Sequence, residues 1–336
     1  MKVKAYAAKS AGAKLEPIEF EMDAPELNEI IIKVTHCGIC HTDIHYIDND
    51  WEETEYPFIP GHEVVGIVDE VGSDVSDFQK EDVVGLGWQI GNCRECAACT
   101  KGLENCCVNM EDGYSTCVGR PGGFAEYIKV PTDYVFHLPK DIDSASIAPM
   151  MCGGITTYNP FKLYEVKPGM KVGVVGIGGL GHFAIKFAKG MGCEVYAFSS
   201  SPEKEEETKK IGADYFVTDI SDENLTRKLY FIISTVPADI DWNRYIEILS
   251  PGGTLAVVGV ANNISIEAGP LIMEEKRIGG GSIGSRERIK EMLTFVNEKN
   301  INTEYELFPI DNVNGAIEKI KSGKIRYRAV LDLSTI

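Results

Sequence analysis

The rhythm of apolar and polar positions changes once along the chain, near residue 148. Before it, short β-branched and aromatic runs such as EIIIKVTHCG, VVGIVDEVG and FAEYIKVP are separated by Gly, Pro and Asp. That pattern predicts a small, irregular all-β domain over residues 1–148. After it, KVGVVGIGGLGHFAIKFAKGMGCEVYAFSSS reads as an apolar run, a glycine turn, a helix with apolar residues at helical spacing and a second apolar run. This is a βαβ unit. Further apolar runs at YFIISTV and TLAVVGV extend it into an open parallel sheet, so the fold class is α/β with a β-rich first domain. RERIKEMLTFVNEKN then reads as a helix and RYRAVLDL as a last strand. Periodicity alone leaves open whether this tail completes the second domain or returns to the first.

Length fits two domains, because 336 residues exceed what one hydrophobic core comfortably serves. A hydrophobic content of 44% with 25% charged residues, without low complexity or an internal period, is that of a globular protein. The formal net charge of -18 would repel phosphate backbones and anionic headgroups, which argues against nucleic acid and membrane surfaces as partners. The opening MKVKAYAAKSAGAKLEP has no apolar signal core, and no run approaches the roughly 18 apolar residues of a membrane span. A cytoplasmic location is therefore expected. In that reducing compartment the ten cysteines are poor disulfide candidates, and tight clusters among them point to metal ligands or reactive thiols.

One cluster is NCRECAACTKGLENCC, which spaces Cys93, Cys96, Cys99 and Cys107 as C-x2-C-x2-C-x7-C. Short thiolate spacings let a loop wrap a tetrahedral ion, and four thiolates leave no position for a substrate, so the expected role is structural. Disulfides are disfavoured by compartment and by the short separations, and an iron-sulfur cluster is a weaker rival. Cys106 is an alternative fourth ligand to Cys107.

A second set is more dispersed. The ten residues HCGICHTDIH hold two cysteines and three histidines, and PGHEVVG places His62 and Glu63 at the start of a strand. A catalytic zinc takes three nitrogen or sulfur ligands and keeps one position open. Cys40, His62 and Cys152 could supply them. The residues by themselves do not select Cys40 over Cys37, nor tie Cys152 in APMMCGGIT to the other two.

In VVGIGGLGHFAIKF, Gly176, Gly178 and Gly181 fit G-x-G-x-x-G between a strand and a helix, with Gly179 and Leu180 inside the turn. That context makes the motif a dinucleotide site, with pyrophosphate resting on the helix N-terminus. An NAD site places Asp or Glu at the end of the next strand. Here EVYAFSSSPEK offers Ser199, Ser200, Ser201 and Lys204 instead. Hydroxyls and a cation suit a 2′-phosphate, so NADPH is expected over NADH, although the EKEEE that follows weighs against a cationic site.

Taken in order, CGICHTDIH, PGHEVVG, the four-cysteine spacing, GGFAEY, CGGIT, GIGGLGH and GKIRYRAVLDL resemble the zinc-containing medium-chain dehydrogenase/reductase family nearly end to end. The nearest branch is the cinnamyl-alcohol-dehydrogenase type, and YIDNDW, GLGW and AFSSSP are similar to its bacterial NADPH-dependent, broad-specificity aldehyde reductases. The resemblance implies a GroES-like β domain over 1–148, rejoined by 286–336, and a Rossmann domain over 149–285, with the active site in the cleft between them. It also implies a homodimer formed through Rossmann sheet edges.

The resemblance further implies two zinc ions per chain and NADP(H). Cys40, His62 and Cys152 would hold the catalytic zinc, with Glu63 able to ligate it when no substrate is bound; Cys93, Cys96, Cys99 and Cys107 would hold the structural one. Cys37 would be a core residue and His36 structural. Thr42 would hydrogen-bond the developing alkoxide, His45 would pass the proton onward to solvent, and Asp43 would orient a ligand histidine. Thr156, Thr235, Gly259 and Ser282 would touch the cofactor along with the glycine turn. Trp88 would line the substrate pocket and favour apolar or aromatic aldehydes, or simply pack beneath the zinc loop. Two departures stand out: Tyr230 replaces an acidic residue that commonly opens its strand, and Glu81 in QKEDVVG replaces a Gly.

The implied activity is a zinc-dependent, NADPH-using aldehyde reductase, reversible as an alcohol dehydrogenase. A polyol or NAD-linked alcohol dehydrogenase is disfavoured by FSSS. A noncatalytic NADPH-binding redox sensor would have no need of Cys40, His62 and Cys152.

Overall fold

The computed structural model describes residues 1–110, 114–261, 263–334 and 336. The elements in chain order are β1 (Lys2–Ala7), β2 (Glu16–Glu21), β3 (Glu29–Ile39), α1 (His41–Asp48), β4 (Glu63–Val71), β5 (Val83–Leu86), β6 (Tyr127–Pro131) and β7 (Val135–His137). There follow α2 (Ser144–Ile147), α3 (Gly153–Leu163), β8 (Lys171–Val175), α4 (Gly181–Gly190), β9 (Glu194–Phe198), α5 (Glu205–Lys210), β10 (Tyr215–Val217), β11 (Leu229–Ser234), α6 (Trp242–Ile248) and β12 (Leu249–Val257). The chain ends with α7 (Ala268–Met273), β13 (Arg277–Gly280), α8 (Arg286–Lys299), β14 (Tyr305–Pro309), α9 (Val313–Lys321) and β15 (Arg328–Asp332).

Contacts divide the chain into two compact units. The first comprises Met1–Cys152, Ser285–Glu291 and Asn302–Ile336; the second comprises Gly153–Gly284 and Met292–Ile301. In the first, a sheet of order β14-β15-β3-β4-β5-β7, with β6 also paired to β3, lies beside the β1-β2 hairpin. The long β3 is its spine: Ile30, Ile31 and Ile32 are all buried, as suits a strand covered on both faces. The tail returns here, since β15 pairs antiparallel with β3, Ala329 against Ile39 and Asp332 against His36. Helix α8 is divided, however. Its first turns belong to this unit, whereas Phe295 packs 5.5 Å from Tyr158 and 6.4 Å from Phe187 in the second.

The second unit is a six-stranded sheet of order β10-β9-β8-β11-β12-β13, parallel throughout. Counting its strands along the chain gives 3-2-1-4-5-6, the doubly wound arrangement in which the order reverses between β8 and β11 and ligands bind beyond the carboxyl ends there. The apolar face of α4, including Phe183, Ile185 and Phe187, is buried.

Both sequence departures lie at local irregularities of the backbone. Tyr230 is an exposed residue of β11, and the pairing of β11 with β12 shifts register between Leu229 and Phe231 beside it. Glu81 adopts φ of 73°, the left-handed region that a glycine would occupy without strain, while its N–H bonds to the Val68 carbonyl at 2.9 Å.

Candidate active site

Of the two cysteines and three histidines in HCGICHTDIH, Cys40 alone reaches a cluster of candidate ligands among the described residues. Cys40, His62, Glu63 and Cys152 bring one donor atom each to within 4.8 Å of one another. Cys40 ends β3 and immediately precedes α1. His62 precedes β4, and Glu63 is its first residue. Cys152 follows the buried turn Ala148–Met151, which packs on the same sheet. Cys37 is fully buried outside the cluster, with its thiol turned to the Gly38 carbonyl. His36 bonds through Nδ1 to Thr35 Oγ1 at 3.2 Å.

Asp43 organises this set. Its carboxylate, buried in the first turn of α1, accepts from the Cys40 N–H, the Gly61 N–H and His62 Nδ1, each at 2.9 Å. Gly61 is required for this approach: its φ is 106°, and a Cβ there would lie 2.6 Å from the Phe124 ring. With Nδ1 committed to Asp43, His62 presents Nε2, which is buried and lacks a hydrogen-bond partner. An orphaned imidazole nitrogen grouped with two thiols fits zinc, because the ion would supply the missing partner and the carboxylate behind the ring fixes its tautomer.

Glu63 forms a buried ion pair with Arg328 of β15, Arg328 Nη2 lying 2.5 Å and 2.6 Å from the two carboxylate oxygens. Burial pushes the Glu63 carboxyl up to about 7 against the opposing pull of Arg328. A hydrogen bond from Cys152 holds the Cys40 thiol well below its ordinary value, helped by His62 and Arg328, and raises Cys152 in turn. Burial works against a charged His62, but Asp43, together with Cys152 and Cys117, outweighs it, so its pKa is raised. The sequence reading missed Arg328. Its signal was a lone guanidinium inside the apolar run RAVLDL, which a buried strand can hold only with a carboxylate partner.

Thr42 is half-buried in the first turn of α1. His45, one turn on, bonds through Nδ1 to Asp50 at 2.6 Å and packs 5.1 Å from the Trp51 ring. Asp50 is a second residue that the sequence reading passed over. Trp88 stands edge-on to His62 at 5.1 Å and stacks on Tyr46 at 5.9 Å, so its packing is against His62 itself. Cys93, Cys96, Cys99 and Cys107 also converge within 4.8 Å, while Cys106 is exposed and directed to Asn105. Backbone N–H groups of Cys93 and Cys96 point at sulfurs of Cys107 and Cys93, at 3.5 Å and 3.4 Å, as expected around thiolates. All ten cysteines are free of disulfides.

In the second unit the three glycines of the turn serve different ends. Gly176 has φ of 85°; a Cβ on Gly181 would sit 1.9 Å from the Gly176 carbonyl oxygen; Gly178 faces open space, where backbone can approach a phosphate. Gly179 and Leu180 complete the turn, and α4 begins at Gly181. Thr235 Oγ1, just past β11, donates to the Val175 and Gly176 carbonyls at 3.0 Å, which places it where the strand order reverses. Gly259 admits no side chain, since a Cβ would lie 2.3 Å from the Val236 carbonyl oxygen. Thr156 is half-buried in α3, and Asn159 of that helix donates to the Ser282 carbonyl at 3.1 Å.

No carboxylate stands at the end of β9. Ser199 Oγ accepts the Ser201 N–H at 3.2 Å, Ser200 is exposed, and Lys204 Nζ donates to the Ile177 carbonyl at 3.1 Å, inside the glycine turn. Two of the acidic residues in that run are engaged elsewhere: Glu205 with Lys209 and Glu206 with Lys210, at 2.7 Å and 2.6 Å. They therefore weigh less against a cationic site than their positions in sequence suggest.

The alcohol dehydrogenase GroES-like domain family matches residues 26–140, and the zinc-binding dehydrogenase family matches residues 179–298. An aldehyde reductase of Synechocystis, AdhA, is 41% identical over 99% of each chain. The aldehyde reductase YahK of Escherichia coli is 38% identical over 100% of this chain and 99% of its own. A cinnamyl alcohol dehydrogenase from Sorghum bicolor superposes with a TM-score of 0.92 at 36% identity, covering 100% of this chain and 98% of its own. The cinnamyl alcohol dehydrogenase of Helicobacter pylori, solved with NADP(H), gives 0.91 at 33% identity, covering 100% and 99%.

Proposed function

From a chain that belongs to the zinc-binding alcohol dehydrogenase family with a GroES-like domain, we propose an aldehyde reductase of broad specificity that uses NADPH and works in reverse as an alcohol dehydrogenase. The observation that carries this reading is His62, fixed by Asp43 through Nδ1, with its orphaned Nε2 grouped with Cys40 and Cys152. Zinc held by these three would act as a Lewis acid on a carbonyl oxygen, and NADPH would supply the hydride.

The protein's own groups do the rest. Asp43 keeps His62 in the ligating tautomer and ties it to the Cys40 backbone. Arg328 holds the Glu63 carboxylate beside the thiols, so the charge of that carboxylate is balanced within the protein. Thr42 gives its hydroxyl proton to the oxygen that becomes the alcohol, and His45 resupplies it. Asp50, bonded to His45 Nδ1, orients that ring, and solvent restores the proton that His45 gives up. On the cofactor side, the Gly176–Gly181 turn receives the pyrophosphate, while Ser199, Ser200, Ser201 and Lys204 receive the 2′-phosphate; Thr156, Thr235, Gly259 and Ser282 border the nucleotide. Cys93, Cys96, Cys99 and Cys107 hold a second, structural zinc. Trp88, Tyr46 and Phe58 form a stacked aromatic wall next to His62, which favours apolar and aromatic aldehydes over polyols.

The test is NADPH oxidation with butanal and benzaldehyde alongside metal analysis of the purified chain. Turnover with about two zinc ions per chain is expected from the two site types; one ion or none, or no turnover with any aldehyde, refutes the reading. Ser199→Asp is expected to move preference toward NADH by at least tenfold in kcat/KM, because a carboxylate repels the 2′-phosphate and accepts from ribose hydroxyls. Unchanged selectivity would show that the phosphate lies elsewhere.

The functional unit is a homodimer joined at the edge of the six-stranded sheet. Strand β13 ends that sheet, and the nearby Ile272 and Met273 of α7 are 73% and 82% exposed. Sedimentation should give twice the chain mass, and Ile272→Asp with Met273→Asp should give monomers.

A further inference from the structure

The four-cysteine loop does more than enclose an ion. Glu104, five residues after the third thiol and three before the fourth, is 5% exposed, and its carboxylate leaves the loop altogether. Its Oε1 accepts from the backbone N–H of Arg286, the first residue of α8, at 2.8 Å and from Arg286 Nε at 3.2 Å, across 182 positions of sequence. The start of α8 is thus capped from two sides. Ser285 Oγ takes the Arg288 N–H at 3.4 Å, and a carboxylate from the cysteine loop takes the Arg286 N–H, where the positive end of the helix favours an anion.

The rest of Arg286 is bound into the same loop. Its guanidinium lies 5.2 Å from the Tyr134 ring, Tyr134 bonds to Asn92 beside Cys93, and Asp133 pairs with both Arg286 and Arg94. The Glu104 backbone is fixed in turn: its carbonyl accepts from Cys107 N–H and from Gln89 Nε2, at 3.0 Å and 2.8 Å. The position of the carboxylate therefore depends on how Cys107 is held.

We infer that Glu104 is a positioning residue through which the four-cysteine site orders the start of α8, and with it the Ser282 segment four residues upstream, so that loading of a structural metal sets NADPH affinity. This rests on the reading above, that the four thiols hold zinc and that Ser282 borders the nucleotide.

The test uses the zinc-loaded full chain with Glu104→Ala and the milder Glu104→Gln, which keeps an acceptor oxygen. Metal content should stay at the wild-type value in both. Hydrogen exchange at the amides of 286–289 should rise at least tenfold in Glu104→Ala and less in Glu104→Gln, with α9 unchanged, because one charge-assisted cap is lost. NADPH binding by fluorescence titration should weaken about fivefold in Glu104→Ala, appearing as a raised KM with kcat within twofold. If Glu104→Ala does not fold, the exchange and binding of Glu104→Gln decide the matter. Unchanged exchange in the first turn of α8, or unchanged NADPH binding, overturns the inference. Either result is separable from the enzymatic reading, which wild-type turnover and zinc content test directly.

Discussion

Cys40→Ser is expected to abolish aldehyde reduction, lowering kcat by at least about a thousandfold, while leaving melting temperature and NADPH binding near wild type. The cause is specific to this position. The Cys40 thiol is held well below its ordinary value by the hydrogen bond from Cys152, and it is grouped with His62, whose buried Nε2 lacks a hydrogen-bond partner. A serine hydroxyl has neither the softness nor the negative charge to keep a borderline-soft ion against Cys152 and His62 alone. Metal analysis should fall to one zinc per chain, the remaining ion being held by the four-cysteine loop. Turnover of benzaldehyde surviving this change would show that the cluster is not the reactive centre.

Arg328→Met is expected to have the largest effect on stability, at about 3 kcal/mol, because removing one partner of a buried pair strands the other. Glu63 and Arg328 are both buried, with 0% and 6% side-chain exposure. The loss corresponds to roughly 6–12 °C in Tm for a unit of this size, readable by calorimetry. Replacing both residues, Arg328→Met with Glu63→Gln, should recover part of that loss, since no uncompensated carboxylate then remains. A single variant that melts like wild type would mean that Glu63 is stabilised by something other than the guanidinium.

Cys93, Cys96, Cys99 and Cys107 were legible in the sequence because their chemistry is local. Three of the four lie within seven residues, and any loop that short keeps them together. The glycine turn was legible for a similar reason, since strand, turn and helix are contiguous from Lys171 to Gly190. The Cys40, His62 and Cys152 set was legible only through the family resemblance, not from its own spacing. Its members are separated by up to 112 positions, and within HCGICHTDIH nothing local distinguishes Cys40 from Cys37. In the structure the difference is one of strand pairing: Cys37 lies within β3, paired across to Val64 and Leu331, whereas Cys40 has just left the strand.

What the sequence by itself determined is whatever depends on short-range covalent reach: the β-rich first half, the βαβ unit, the four-thiol loop, the phosphate turn and the missing acid after β9. Only the tertiary structure decided which side chains share a buried volume. It brought Arg328 from the last strand onto Glu63, placed Asp50 on His45, and laid Glu104 against the start of α8. The physical reason is that a buried charge takes its partner from whatever element packs against it. That element is chosen by sheet order and register, which the spacing of residues along one strand does not encode.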